Sequence, residues 1–391
     1  MLKIRINRVS CIELLAFLSV FFLIEPPYLS VQSGPHKIYL LGSMIAIVFV
    51  CLLVYYYKKI SLIMGTIALF YVFLLTNTFF KGGDVETLLR QISLVVPLCL
   101  LFDILLKTKY KYMAIKSLKT ILYTYVLINL FTVIFFPNGI FNLTGAEHSW
   151  FLGHKNSIGK YIMLLFLAND LDAYYSDKTG TFQNFILHGS AILTLVLIHS
   201  VTSLIVISAY VLAKLTIRYF RIIKKIFTVK NLIIANVLFF VLVIKLHIQD
   251  LFANVITLYL NKDLSFSGRT YLWDRAIKNI ASHPVFGYGI LTPEAAAARN
   301  GYTNASVHNL LLDYLLIGGV VAIIFLVAMH IMLSYRVKNY DSRLKRIIGI
   351  FFVTNSIFYM TETFLGSYLI FVFLPVIICC NLENKEYPCN T

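Results

Sequence analysis

Residues 309–335 read NLLLDYLLIGGVVAIIFLVAMHIMLSY, an apolar run that holds one acid, Asp313, and no Lys or Arg. A bilayer's hydrocarbon core is about 30 Å thick and takes about 20 apolar residues per helix, so this run is long enough to cross it. Outward from it the pattern recurs. About twelve runs of this kind are predicted, at 9–24, 38–57, 61–79, 88–106, 118–136, 157–174, 183–199, 203–219, 231–248, 309–335, 346–362 and 364–381. The seventh and eighth form one stretch too long for a single crossing, and the polar patch His199, Ser200, Thr202 and Ser203 divides them. The 391 residues are 59% hydrophobic and 13% charged, against about 25% charged in a soluble domain. That excludes a soluble multidomain protein. The expected fold is all-α: a polytopic membrane bundle of about twelve helices forming one domain over 1–391, with one large external loop.

The net charge of +16 would suggest a polyanionic partner in a soluble protein. Position along the chain gives another reason for it. With the N-terminus in the cytoplasm, the inner segments hold Lys3, Arg5 and Arg8, then Lys58 and Lys59, then Lys107, Lys109, Lys111, Lys116 and Lys119. Lys178 follows, then Lys214, Arg218, Arg221, Lys224, Lys225 and Lys230, then Arg336, Lys338, Arg343, Lys345 and Arg346, then Lys385. These are 23 of the 34 basic residues, as the positive-inside rule requires. Both termini are therefore expected in the cytoplasm, and nucleic-acid binding loses its argument. The first run lacks a small-x-small cleavage site and reads as a retained helix. The six cysteines form no CxxC pair or Cys/His cluster, so neither a disulfide nor a metal site is expected.

The longest predicted external loop, 249–307, carries Lys262, Arg269, Arg275, Lys278 and Arg299. Within it, SFSGRTYLWDRAIKNIASHPVFGYG (265–289) predicts a helix over about 270–282, capped by Ser267 or Thr270 and ended before Pro284. Leu272, Trp273, Ala276, Ile277 and Ile280 share one face, and Asp274, Arg275, Lys278 and Asn279 the other. Such a helix is expected to lie on the outer membrane surface, with Trp273 at headgroup level. Arg269 sits at its start, where free N–H groups and the helix dipole favour an anion. Arg275 lies nearly two turns on, and guanidinium groups grip phosphate through a bidentate fork. Both arginines could equally bind lipid headgroups.

At the outer mouth of the tenth run, SVHNLLLDYLLIGG (306–319) places His308 and Asn309 at the membrane boundary. His308 can exchange a proton near neutral pH or simply cap the helix, and Gly318 and Gly319 allow close helix packing. FLGHKNSIGKY (151–161) sets His154, Lys155, Asn156 and Lys160 at the start of the sixth run, where the lysines are anchors or anion ligands. Arg90 and Gln91 lie near the outer end of the fourth run, where Arg90 can snorkel or serve a site.

The order GHKNSIGKY, a Ser/Thr patch, SGRTYLW with HPVFGYG, then HN before a span with Gly-Gly resembles the O-antigen ligase and polysaccharide repeat-unit polymerase (Wzy-type) family over roughly residues 150–335. The resemblance implies a multi-pass glycosyltransferase in the cytoplasmic membrane of a bacterium, acting on its outer face with a polyprenyl-diphosphate-linked oligosaccharide as donor. On the matching residues, Arg269 and Arg275 hold the diphosphate and His308 sits by the acceptor hydroxyl, while Arg90 is a looser match. Lys155 or Lys160 would complete the diphosphate site, and His154, Asn156, Asn309 and Ser203 would position substrate. The sequence Ser200-Val201-Thr202-Ser203-Leu204 lacks the arginine that many ligases carry there, and Ala322 stands where ligases carry a small or polar residue downstream of His308. These departures favour a polymerase over a ligase. A flippase and a chain-length regulator are the expected protein partners.

The residue types suit the chemistry. A sugar diphosphate already holds a good leaving group, so the tasks are to neutralise its charge and to align an acceptor hydroxyl. Arginine performs the first and His308 is placed as general base for the second. No external Asp-x-Asp pair is present to hold a metal, and Asp170 and Asp172 fall on the inner side. Direct displacement with inversion, without metal or cofactor, is expected. A lipid-oligosaccharide flippase is the competing class, but the paired repeats common in transporters are not found.

Overall fold

The computed structural model describes residues 8–142, 148–176, 181–217, 269–301 and 306–384, with single positions at 228, 231 and 234 and the stretches 236–238 and 240–245. In chain order the helices longer than one turn are α1 Arg8–Leu23, α2 Ser33–Tyr57, α3 Leu62–Phe80, α4 Val85–Leu105, α5 Lys111–Phe135, α6 Lys155–Ser176, α7 Thr181–Leu197 and α8 Val201–Thr216. They continue as α9 Arg269–Ser282, α10 Pro293–Asn300, α11 Leu310–Val337, α12 Ser342–Thr361 and α13 Ile370–Cys380. A small antiparallel sheet, β1 Phe141–Asn142, β2 His148–Trp150 and β3 Gly153–His154, precedes α6.

Among the described residues, five helices, α2, α3, α4, α5 and α11, are long and apolar enough to cross a membrane by length and composition. Shorter apolar helices cover Cys11–Leu23, Phe182–Leu197, Val201–Thr216 and Gly366–Asn381. The division at His199 is observed: α7 ends at Leu197, His199 takes φ 52°, and α8 starts at Val201. The ninth run is described in part: Asn231, Ile234 and 236–238 are helical, and Phe240–Lys245 is a π-helix.

Burial follows composition. Every residue of α13 is buried, as expected of a helix that is apolar all round, and α4, α6 and α11 pack on it. On α2, by contrast, Leu41, Ile45, Val48 and Leu52 are each exposed. A continuous apolar stripe turned outward fits lipid rather than water.

The basic loops gather at one end of the bundle. Buried Asp103 accepts from Ser61 N (2.9 Å), Lys107 Nζ (2.9 Å) and Asn381 Nδ2 (2.8 Å). Lys111 pairs with Glu383 at 2.7 Å, Lys119 with Asp172 at 2.7 Å, and Lys214 with Asp170. Each of α6, α11 and α12 has one end there, at Ser176, Val337 and Ser342, and its other end at the site described next.

Helix α11 is broken. Gly319 takes φ 60° and ψ −156°, and the segment 284–290 fills the gap. Tyr288 N and Gly289 N donate to Leu316 O (2.8 Å) and Ile317 O (2.9 Å), while Val320 N and Val321 N donate to Pro284 O (2.9 Å) and Val285 O (3.3 Å). Asn77 Nδ2 on α3 donates to both Phe286 O (2.7 Å) and Ile317 O (3.2 Å). The glycine pair is thus a break in the helix that admits another backbone. A Cβ on Gly319 would lie 2.2 Å from Val285 O.

Candidate functional site

The predicted amphipathic helix is α9, and its apolar face meets protein. Trp273 is 1% exposed and its Nε1 donates to Val307 O at 3.0 Å. Leu272, Trp273, Ala276, Val307, Leu312 and Leu316 form one buried cluster. The expectation of Trp273 at headgroup level is therefore corrected: the outer half of α11, set apart by the break, offers an apolar surface that α9 covers. Ser267 and Gly268, part of the expected helix start, lie outside the described residues.

Arg269 begins α9 and points to the turn after α12, where its guanidinium bonds Glu362 Oε1 at 3.0 Å. Glu362 is 1% exposed. Its other oxygen lies 3.9 Å from His308 Nδ1, too far for a hydrogen bond, and that nitrogen is buried without a partner. Burial raises the Glu362 carboxyl above its usual range, opposed by the charges of Arg269, Lys160 and Lys155. Burial also pushes the His308 imidazole down to about 4, aided by Arg269, Lys160 and His154. His308 is therefore neutral at physiological pH, held beside an acid and among cations. Its backbone takes φ 53°, a region non-glycine residues rarely enter.

The remaining candidates divide. Lys160 is 2% exposed; its ammonium donates to Thr363 O at 2.5 Å and lies 4.8 Å and 4.2 Å from the Phe364 and Tyr368 ring centres. It braces the turn that carries Glu362. Asn309 caps α11, accepting from Leu312 N at 3.1 Å, and donates to Met360 O at 2.9 Å. Ser203 is fully buried and accepts from Ser200 Oγ at 2.9 Å. A Cβ on Gly159 would lie 2.5 Å from Ser203 Oγ, so Ser203 sits at the close approach of α6 and α8. His154 ends β3, and its Nδ1 accepts from Asn156 N at 3.5 Å. Lys155 opens α6. Arg275 faces another way, its Nε donating to Arg299 O at 3.3 Å. Arg90 does not join the cluster: it pairs with Glu86 at 2.7 Å on an exposed stretch of α4.

Sequence reasoning missed two acids. Glu362 stood in TETFLGS (361–367) as the mere end of a run, although its side of the bundle followed from the topology. Asp313 was a carboxylate inside a membrane run, which is itself a functional signal. Its Oδ2 accepts from Ser306 Oγ (3.0 Å) and Thr363 Oγ1 (3.3 Å), and its Oδ1 from Val307 N (3.2 Å).

Residues 187–327 match the O-antigen ligase family model. The resemblance read from the motifs is thereby borne out, over the stretch from α7 into α11 that carries Arg269, Arg275, His308 and Asn309. The O-antigen ligase match marks a multi-pass membrane enzyme that transfers glycan from a lipid-linked substrate. Glu362, Lys160, His154 and Lys155 fall outside the matched residues and reach the site through folding alone. No curated protein matches the chain significantly.

Proposed function

We propose that the protein is an inverting, metal-independent glycosyltransferase that polymerises polyprenyl-diphosphate-linked oligosaccharide repeat units on the outer face of a bacterial cytoplasmic membrane. The observation that carries this reading is the convergence of Arg269, Glu362 and neutral His308 at the end of the bundle opposite its basic loops. Arg269 exchanges Glu362 for the donor diphosphate, with Lys155 adding positive charge, His154 positioning substrate, and Arg275 and Arg90 standing further out. His308 takes the proton of the acceptor hydroxyl as that oxygen bonds the anomeric carbon and the carbon–diphosphate bond breaks. Glu362 then stabilises the imidazolium formed beside it. Lys160, Asn309 and Ser203 hold the frame around this chemistry.

The reading includes about twelve crossings with both termini inside, and a flippase and a chain-length regulator as partners. Polymerase is preferred because the patch Ser200–Leu204 has no arginine. The description of the matched family favours a ligase as the second reading. Purified His308→Ala and Arg269→Lys proteins are expected to lengthen lipid-linked repeat units at least 100-fold more slowly, from general-base losses of about 10² to 10⁴ and charge-stabilisation losses of about 10² to 10³. Normal rates in either variant would remove the assigned role. In a deletion strain, surface polysaccharide reduced to a single-repeat band supports polymerase, and unattached long chains support ligase.

A further inference from the structure

Asp313 lies in the first turn of α11 and is 1% exposed. An acid in that position ordinarily serves its own helix, by bonding the free N–H groups or by facing the dipole. Here Asn309 already caps α11, and both Asp313 oxygens turn elsewhere. One accepts from Val307 N, and the other from Ser306 Oγ and Thr363 Oγ1. Ser306 Oγ in turn accepts from His308 N at 3.1 Å. The carboxylate therefore joins the loop before α11, which carries His308, to the turn after α12, which carries Glu362 and Thr363.

His308 needs such a restraint. Its φ of 53° is strained in a non-glycine residue and persists only where surrounding bonds over-determine it. Its ring receives no orienting hydrogen bond, because Nδ1 has no partner and Glu362 is 3.9 Å away. The usual arrangement, in which an acid holds the imidazole by its ring nitrogen, is absent among the described contacts. The ring stands where its backbone puts it.

The geometry points to Asp313 as a positioning residue that fixes His308 through its backbone and locks that loop to the Glu362 turn. This rests on the reading of His308 as the base. A misplacement of about 1 Å can cost on the order of 10²-fold in rate, so the effect falls on kcat, while KM for the donor, set by Arg269, stays within about twofold.

The test compares Asp313→Ala, Asp313→Asn, Ser306→Ala and Thr363→Val with His308→Ala in chain extension by the full-length protein in vesicles, alongside thermal unfolding. Asp313→Ala is expected to lower kcat by tenfold or more at nearly constant KM. Asp313→Asn retains more, because a flipped amide can accept from Val307 N and donate to both hydroxyls. Ser306→Ala and Thr363→Val each lower kcat by a smaller factor and decide the matter if Asp313→Ala does not fold. Normal kcat in folded Asp313→Ala, or in both hydroxyl variants, overturns the proposal, as does a loss that tracks only the fall in unfolding temperature. Full activity of His308→Ala instead defeats the reading of the base and leaves the two failures distinct.

Discussion

At the scale of single residues, the site is a contest among charges removed from water. Glu362 is kept as an ion partner by Arg269, and removing that arginine would strand a buried charge, a loss of about 3–5 kcal/mol in comparable cases. His308 escapes the contest by staying neutral, since burial, with Arg269, Lys160 and His154 alongside, presses its imidazole down to about 4. The sign follows: with the folded value depressed, the neutral base persists as pH falls from 6.5 toward 4. An ordinary imidazole, near 6.5, would be about 90% protonated at pH 5.5. His308 itself is thus expected to cause no loss of chain extension down to pH 5.5, read from kcat profiles of the native protein and of Glu362→Gln, because burial also raises the Glu362 carboxyl. A fall between pH 7 and 5.5 that shows the midpoint of an ordinary imidazole, about 6.5, in both proteins would contradict this placement of His308. Arg269 and His308 were legible in sequence as site candidates, but Glu362 and the balance of charge among the three were not, because they are far apart along the chain and only the fold makes them neighbours.

At the scale of elements, the deciding piece is the backbone 284–290 set into broken α11. HPVFGYG was visible as a motif, and Pro284 as a helix stop, but the hydrogen bonds between this segment and Leu316, Ile317, Val320 and Val321 have no periodic signature. The same holds for α9, whose amphipathic pattern was read for a lipid surface while its true counterpart is the outer half of α11. Amphipathicity gives a face and not the identity of what covers it. Gly319→Ala is expected to destabilise strongly, since a methyl would overlap Val285 O and the conformation, φ 60° with ψ −156°, costs about 1–3 kcal/mol with a side chain. Gly34→Ala, where a Cβ meets nothing within 4 Å, is the control. Equal unfolding temperatures for the two would disprove the account of the break.

At the scale of the molecule, hydropathy and charge carried most of what could be read. The apolar runs correspond to described helices apart from the ninth, and loops expected on one side, around Lys107, Lys111, Lys214 and Arg343, meet at one end of the bundle. This follows because run length and terminal charge are local properties imposed by the bilayer. The orientation makes a direct prediction: in a cysteine-free background, Lys59→Cys and Lys109→Cys react with an impermeant thiol reagent only in inverted vesicles, and Lys81→Cys in intact cells. Labelling of Lys59→Cys and Lys81→Cys from the same side would refute the alternating topology.

The break in α11 also bears on how the chain is made. A segment entering the bilayer must satisfy its own backbone groups, so residues 310–337 are expected to insert as one continuous helix, with Gly319 helical. The four bonds to 284–290 can form only after that, once this stretch waits on the far side and Asn77 stands ready in α3. The kink is then expected to form after insertion, and Glu362 with Thr363, later in the chain, completes the site. A nascent chain halted before residue 362 would carry its histidine in a framework not yet able to aim it.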